Sequence, residues 1–312
     1  MASPKIVVYC SGHEKMADVV RKMNCPGEII APGSRQELEA AMLSAEVVFG
    51  WKIPSHLYAR ASHLKWVQSM GAGVDDLVSN SNLSPSVIIT RIVDQFGSAI
   101  SEYVFAELLA QVRHIDRRRH QQVQRQWKPF EIESLAGRNF GIAGLGSIGY
   151  ELARKARAFD MTVFGLSRTP RPDMVDHWFS ASEWPEFVRK LDYLVVALPL
   201  TPQTRHVVDK EVFGQMKPEA IIVNIGRGEI INEDHMKAAL LMHQISGAVL
   251  DVFEKEPLPR DDILWELPNV SVSPHIAGPS QDERAARFFV NNVKNYLRHE
   301  PLQGVVNREH GY

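Results

Sequence analysis

Short hydrophobic runs recur along this chain, and each stops at a polar or glycine-rich segment. Asn139-Phe140-Gly141-Ile142-Ala143 leads into Gly144-Leu145-Gly146-Ser147-Ile148-Gly149. Ala220-Ile221-Ile222-Val223-Asn224 leads into Ile225-Gly226-Arg227-Gly228. Gly247-Ala248-Val249-Leu250 leads into Asp251, and Val270-Ser271-Val272-Ser273 into Pro274-His275. Runs of this length, rich in β-branched residues, read as buried strands. They predict strands at 139–143, 161–166, 193–197, 220–224, 246–250 and 270–273, with helical segments between them. An earlier set falls at 5–9, 46–50, 64–69 and 86–90. Alternating strands and helices predict an α/β protein with doubly wound parallel sheets. Ligands bind such sheets outside the carboxyl ends of the strands. A glycine loop, an arginine, two carboxylates and a histidine are therefore expected along one edge.

Helical periodicity adds two longer elements. Ile100, Val104, Leu108, Val112 and Ile115 form a stripe that predicts one helix over 98–126, ended by Trp127-Lys128-Pro129. A last helix over 280–299 is long enough to carry the chain back to the first unit. With ~150 residues per domain, 312 residues suggest two domains. The expected division is 1–100 plus 285–312 for a discontinuous first domain and 101–284 for the second, with a cleft between them.

Composition narrows the class. Hydrophobic residues make up 45% and charged residues 23%, ordinary for a soluble globular protein. The formal charge of −2 offers no general attraction to nucleic acid or an anionic membrane. Arg117-Arg118-Arg119-His120 reads as a solvated face or a subunit contact. The apolar runs fall far short of the ~18 residues that span a bilayer. Met1-Ala2-Ser3-Pro4-Lys5 followed by Ile6-Val7-Val8-Tyr9 reads as a first buried strand, not as a secretory signal. Cys10 and Cys25 fit no metal or redox spacing, so reduced thiols, a cytoplasmic location and no metal are expected.

Gly144-Leu145-Gly146-Ser147-Ile148-Gly149 is a G-x-G-x-x-G that follows a strand and opens a helix, the context of a dinucleotide fingerprint. Ile148, Leu152, Ala156 and Phe159 share one face of that helix. An NAD site usually carries an acid ~20 residues beyond the loop. Here the stretch reads Gly165-Leu166-Ser167-Arg168-Thr169, without a carboxylate. Ser167 can donate to a 2′-phosphate and Arg168 can pair with one. NADP(H) is therefore the expected cofactor. If Arg168 instead stacks on adenine or is merely solvated, loose use of NAD(H) follows.

Arg227 can grip a carboxylate bidentately and polarise a neighbouring carbonyl. His275, at a strand's carboxyl end, can donate a proton in reduction and accept one in oxidation. A carboxylate beside its second nitrogen would favour the imidazolium and fix the ring. Glu256 and Glu254 both qualify, and spacing does not choose between them. Asp251 is better placed for the nicotinamide side of a cofactor. Gly71-Ala72-Gly73 can present backbone N–H groups as an anion nest. Trp51 and Met70 are candidate pocket walls.

These motifs, with Leu198-Pro199-Leu200-Thr201-Pro202-Gln203-Thr204 and Asp251-Val252-Phe253-Glu254-Lys255-Glu256-Pro257-Leu258-Pro259, resemble the D-isomer-specific 2-hydroxyacid dehydrogenase family over nearly the whole chain. The resemblance implies a Rossmann-type cofactor domain inserted into a flavodoxin-like substrate domain. It implies Arg227, Glu256 and His275 as the catalytic set, with Glu256 chosen because the family's acid directly precedes this proline. Asp251 maps to the carboxamide contact, Pro199, Thr204 and Ile225 to further cofactor contacts, and Gly71, Ala72 and Gly73 to the substrate-carboxylate loop. It also implies a homodimer built around 98–126. Within the family, the length, Trp127-Lys128-Pro129 and the ending Arg308-Glu309-His310-Gly311-Tyr312 look like the shorter bacterial glyoxylate/hydroxypyruvate reductases, which favour NADPH. The expected substrate is a small 2-keto acid. The alternatives are a bulkier acid such as phenylpyruvate, or a dinucleotide-sensing interaction protein.

Overall fold

The structure, a computed structural model, describes residues 3–312; Met1 and Ala2, read above with the N-terminal segment, lie outside the described residues. The chain divides into two compact units, Met1–Gln95 with Ser280–Tyr312, and Phe96–Pro279.

In the first unit the elements are β1 (Lys5–Tyr9), α1 (His13–Lys22), β2 (Glu28–Ile30), α2 (Arg35–Met42), β3 (Val47–Gly50), β4 (Trp66–Ser69), α3 (Asp75–Val78) and β5 (Ile88–Thr90). The five strands are all parallel, in the order β2-β1-β3-β4-β5. This is the flavodoxin-like order. Tyr9 pairs with Gly50, and Gly50 with Ser69, so the loops after these strands emerge at one edge.

The second unit begins with α4 (Gly97–Val112) and α5 (Ile115–Val123). It continues through β6 (Asn139–Ala143), α6 (Ser147–Ala158), β7 (Thr162–Leu166), β8 (His177–Phe179), α7 (Trp184–Val188), β9 (Tyr193–Val196), α8 (Lys210–Phe213), β10 (Ile221–Asn224), α9 (Glu233–Leu241), β11 (Gly247–Leu250) and β12 (Val270–Val272). Its seven strands are also all parallel, in the order β12-β11-β10-β9-β6-β7-β8. Numbered within the unit this is 3-2-1-4-5-6 with a seventh strand added, the doubly wound order of dinucleotide-binding folds. Register aligns Ala143, Leu166, Val196, Asn224, Leu250 and Val272 at the carboxyl edge.

The remaining helix, α10 (Asp282–Leu297), belongs to the first unit. Its Phe289 stacks on Phe49 with ring centroids 4.3 Å apart. A buried polar network joins the same elements. Trp66 Nε1 donates to Thr90 Oγ1 at 2.7 Å, Thr90 donates to Gln68 Oε1 at 2.7 Å, and Asn292 Nδ2 donates to the same oxygen at 3.1 Å.

The pattern missed β2 and β8. Both are three-residue edge strands without a fully buried residue, too short to show a period. The single helix expected over 98–126 is corrected to α4 and α5, broken at His114, whose φ of 46° ends the first helix in the left-handed conformation. The reason is burial. Ile100, Val104, Leu108 and Val112 are buried, whereas α5 buries no residue, so no apolar face holds the two coaxial. On α6, Leu152 and Ala156 are buried as expected; Phe159 lies just past the helix and stacks on Phe105, with centroids 4.9 Å apart.

Candidate active site

The glycine turn between β6 and α6 is shaped by close approach. Gly144 has a φ of 109°, and a Cβ there would come within 2.6 Å of the Ala197 carbonyl oxygen. A Cβ on Gly149 would come within 2.3 Å of the Gly144 carbonyl oxygen. At Gly146 a Cβ would meet nothing within 4 Å, so this glycine borders open space. A tight turn, an open face and close helix packing are the three glycine roles in a pyrophosphate site. Gly146 is the N-cap of α6 and no side chain caps that end, which leaves the positive pole of the helix, beginning Ser147-Ile148, for an anion.

Past β7, Ser167 is half-buried while Arg168 and Thr169 are exposed. Ser167 Oγ donates to the Thr169 carbonyl at 2.7 Å and accepts from Trp178 Nε1 at 3.0 Å. This three-residue turn holds no carboxylate. It is fastened to the glycine turn by the Gly144 N–H, which donates to the Leu166 carbonyl at 2.9 Å.

After β9, Thr204 Oγ1 donates to the Pro199 carbonyl at 2.6 Å and accepts from the Thr201 N–H at 2.8 Å, which closes a rigid turn. After β10, Ile225 is buried and Arg227 half-buried. Asn224 bridges this turn, donating to the Arg227 carbonyl at 3.0 Å and accepting from the Gly226 N–H at 3.2 Å. Arg227 Nη1 donates to the Gly226 carbonyl at 2.9 Å. A Cβ on Gly228 would lie 1.8 Å from the Phe253 carbonyl carbon. Only glycine lets the arginine turn pack on the backbone that leads from Asp251 to Glu256.

His275 has a φ of 55°, a left-handed conformation uncommon for a non-glycine residue. Asp251 holds this backbone. It is 2% exposed, its carboxylate accepts the Ile276 N–H at 2.8 Å and the Ala277 N–H at 2.9 Å, and its carbonyl accepts the His275 N–H at 2.9 Å. Ser273 Oγ also donates to Asp251, and Tyr103 of α4 lies 2.7 Å behind Ser273. Because the serine proton goes to the carboxylate, Tyr103 is the donor to Ser273. Burial pushes the Tyr103 phenol up to about 12, and it keeps its proton. Tyr103 is the residue that the apolar pattern hid. Its signal is a second polar residue one turn on, Glu107, which accepts from Ser271 Oγ at 2.8 Å.

His275 Nδ1 lies 3.1 and 3.0 Å from the two oxygens of Glu256. A carboxylate only accepts, so Nδ1 carries the hydrogen and Nε2 takes no part in this contact. Glu254 goes elsewhere, with Oε1 2.9 Å from His206 Nε2 and accepting the Glu233 N–H at 3.2 Å. The geometry thus separates two glutamates that spacing could not.

In the first unit, Gly71, Ala72 and Gly73 follow β4 at the carboxyl edge and are half-buried. Trp51, after β3, is half-buried against them: a Cβ on Gly71 would come within 2.4 Å of Trp51 Cζ3. Met70 is buried.

The sheet order and the glycine turn of the second unit define a dinucleotide-binding protein. Comparison with known proteins narrows this. The model of the D-isomer specific 2-hydroxyacid dehydrogenase, NAD binding domain, matches residues 105–277. Glyoxylate/hydroxypyruvate reductase A of Yersinia enterocolitica is 33% identical over 275 residues, 86% of this chain and 88% of that protein. A solved D-isomer specific 2-hydroxyacid dehydrogenase family protein from Aeromonas salmonicida is similar with a TM-score of 0.90 at 32% identity, covering 98% of this chain and 100% of that one. The NADPH-dependent glyoxylate/hydroxypyruvate reductase of Sinorhizobium meliloti, solved with NADP and sulfate, gives a TM-score of 0.90 at 29% identity over 100% of both chains. The chain belongs to the D-isomer-specific 2-hydroxyacid dehydrogenase family. It is an NAD(P)-dependent oxidoreductase.

Proposed function

We propose that this enzyme reduces a small 2-keto acid, of the size of glyoxylate or hydroxypyruvate, to the D-2-hydroxy acid with NADPH as the preferred donor. The observation that carries the reading is the His275–Glu256 pair, with Nδ1 3.0 Å from the carboxylate and Nε2 left for a carbonyl oxygen. When bound, reduced nicotinamide supplies hydride for the carbonyl carbon. His275 Nε2 gives the proton to the carbonyl oxygen, and Glu256 holds the ring in the donating orientation. Arg227 pairs with the acid and polarises its carbonyl. Gly71, Ala72 and Gly73 hold the substrate carboxylate, and Trp51, packed on that loop, restricts the size of the substituent.

Gly144, Gly146, Ser147, Ile148 and Gly149 would hold the pyrophosphate, with Pro199, Thr204, Ile225 and Asp251 toward the nicotinamide. Ser167, Arg168 and Thr169 would take the 2′-phosphate. The NADPH preference is supported by the absence of a carboxylate from 167–169 and by the NADP bound to the Sinorhizobium relative. A homodimer built on 98–126 accounts for α5, which buries no residue, and for Val123 and Trp127, exposed to 79% and 98%. No helix among the described residues is long and apolar enough to cross a membrane. The cytoplasmic assignment is supported by two cysteines that form no disulfide.

The test is stereochemical. Hydroxypyruvate reduced by the purified enzyme with NADPH should give D-glycerate alone. L-glycerate, or a racemic product, would refute the stated orientation of proton donor and hydride.

A further inference from the structure

The loop after β4 is tied down in one sense only. Its carbonyl groups point to partners inside the first unit. Gly71 O accepts the Ile92 N–H at 3.1 Å, Ala72 O accepts Arg91 Nη1 at 3.3 Å, and Gly73 O lies 3.5 Å from Ser69 Oγ. The Gly71 N–H donates to Ser69 Oγ at 3.2 Å. Among the described residues, neither the Ala72 nor the Gly73 N–H meets a protein acceptor. Two successive amides without acceptors, on a loop whose carbonyls are all engaged, form a concavity suited to an anion.

Arg91 touches the same loop from its carbonyl side. It is the first residue past β5, at the same carboxyl edge, and its backbone is bracketed: its N–H donates to the Gly304 carbonyl at 2.9 Å, and a Cβ on Gly304 would come within 2.3 Å of its own carbonyl oxygen. Its side chain is half-buried and contacts the loop through Ala72. Among the described residues it forms no ion pair, and its Nε and Nη2 make no hydrogen bond to the protein. Burial lowers its proton affinity, while Asp94 and Tyr312 act at longer range in the opposite direction. A guanidinium drawn partly out of water without a carboxylate partner carries an uncompensated desolvation cost. An incoming carboxylate removes that cost through charge-assisted hydrogen bonds.

We propose that Arg91 is a substrate-binding and specificity residue whose guanidinium, with the Ala72 and Gly73 amides, forms the carboxylate subsite and selects anionic over neutral carbonyl compounds. The proposal rests on the reading of 71–73 as the substrate-carboxylate loop. The competing role is a brace that only props Ala72.

Arg91→Gln separates the two, because glutamine keeps a donor for the Ala72 carbonyl but has no charge. With purified full-length enzyme and NADPH, Arg91→Gln and Arg91→Met should both raise the KM for glyoxylate and hydroxypyruvate by about 10–100-fold, the scale of a hydrogen bond to a charged group. They should weaken inhibition by oxalate in parallel, leave kcat within about threefold, and leave NADPH binding and Tm near wild type. Arg91→Lys should recover part of the loss. Wild-type KM and oxalate inhibition in Arg91→Gln would make Arg91 a brace and overturn the proposal, as would a fall in kcat at unchanged KM. If the wild type turns over no 2-keto acid, the functional reading fails by itself. Calorimetric titration with oxalate then judges Arg91: binding to wild type that is lost in Arg91→Gln supports the subsite, and equal or absent binding in both refutes it.

Discussion

His275 and Glu256 meet through Nδ1, at 3.1 and 3.0 Å from the two carboxylate oxygens, although 18 residues separate them in sequence. The contact depends on two neighbouring features. Asp251 gathers the 273–277 segment around its carboxylate, and Gly228 lets the Arg227 turn pack against Phe253. His275→Asn should therefore lower kcat by about 10²–10⁴-fold, the usual contribution of a positioned acid. NADPH binding, followed by cofactor fluorescence, should be unchanged. Arg227→Ala should behave alike, and Glu256→Gln should retain more activity because it still accepts from Nδ1. Near-normal turnover in His275→Asn would remove the histidine from the mechanism.

On the proposed reading, cofactor choice rests on the turn after β7. Arg168→Ala should raise the KM for NADPH by about 10–100-fold while changing that for NADH little, since only the 2′-phosphate distinguishes the two. Paired saturation curves check this. An equal loss with both cofactors would mean that Arg168 contacts a part they share.

Much of this arrangement is legible in the sequence because parallel sheets buried on both faces write themselves as hydrophobic runs. The runs ending at Ala143, Leu250 and Val272 put Gly144, Asp251 and His275 on one edge, and the strand register agrees. Other features were not legible. The edge strands β2 and β8 have no two-sided burial to show. The break at His114 depends on where burial stops, while the stripe itself reads on through Ile115. Tyr103 was hidden because its partner, Ser273, lies 170 residues away. Glu254 and Glu256 differ in partner, His206 for the first and His275 for the second, and no local spacing encodes that difference.

Trp51 and Gly71 give a packing test. Gly71→Ala would place a methyl group within 2.4 Å of the indole. Overpacking of this kind costs about 1–3 kcal/mol. The variant should show a lower Tm and a raised KM for the keto acid. Adding Trp51→Leu should restore much of the Tm, because the space is then open. If the double variant loses as much as the sum of the single changes, the two residues do not share that space.

Buried phenols set an alkaline limit. Burial pushes Tyr103 and Tyr193 up to about 12, and burial raises Tyr58 and Tyr296 as well. A raised folded-state pKa means that the native state holds the proton more tightly, so unfolding favours its release. That stability is fully present below the unfolded value of ~10 and is lost as pH rises toward 12. Tm should be steady in this respect up to about pH 9.5 and then fall, and Tyr103→Phe should fall less steeply. A Tm that rises between pH 10 and 11.5 would contradict the burial of these groups.

Reduction of a small 2-keto acid is tested by initial rates. Purified enzyme would be assayed with NADPH and with NADH on glyoxylate, hydroxypyruvate, pyruvate and phenylpyruvate. NADPH oxidation should be fast with glyoxylate and hydroxypyruvate, slower with NADH in its place, and slight with phenylpyruvate. Tight NADPH binding without turnover of any of the four acids would contradict this reading.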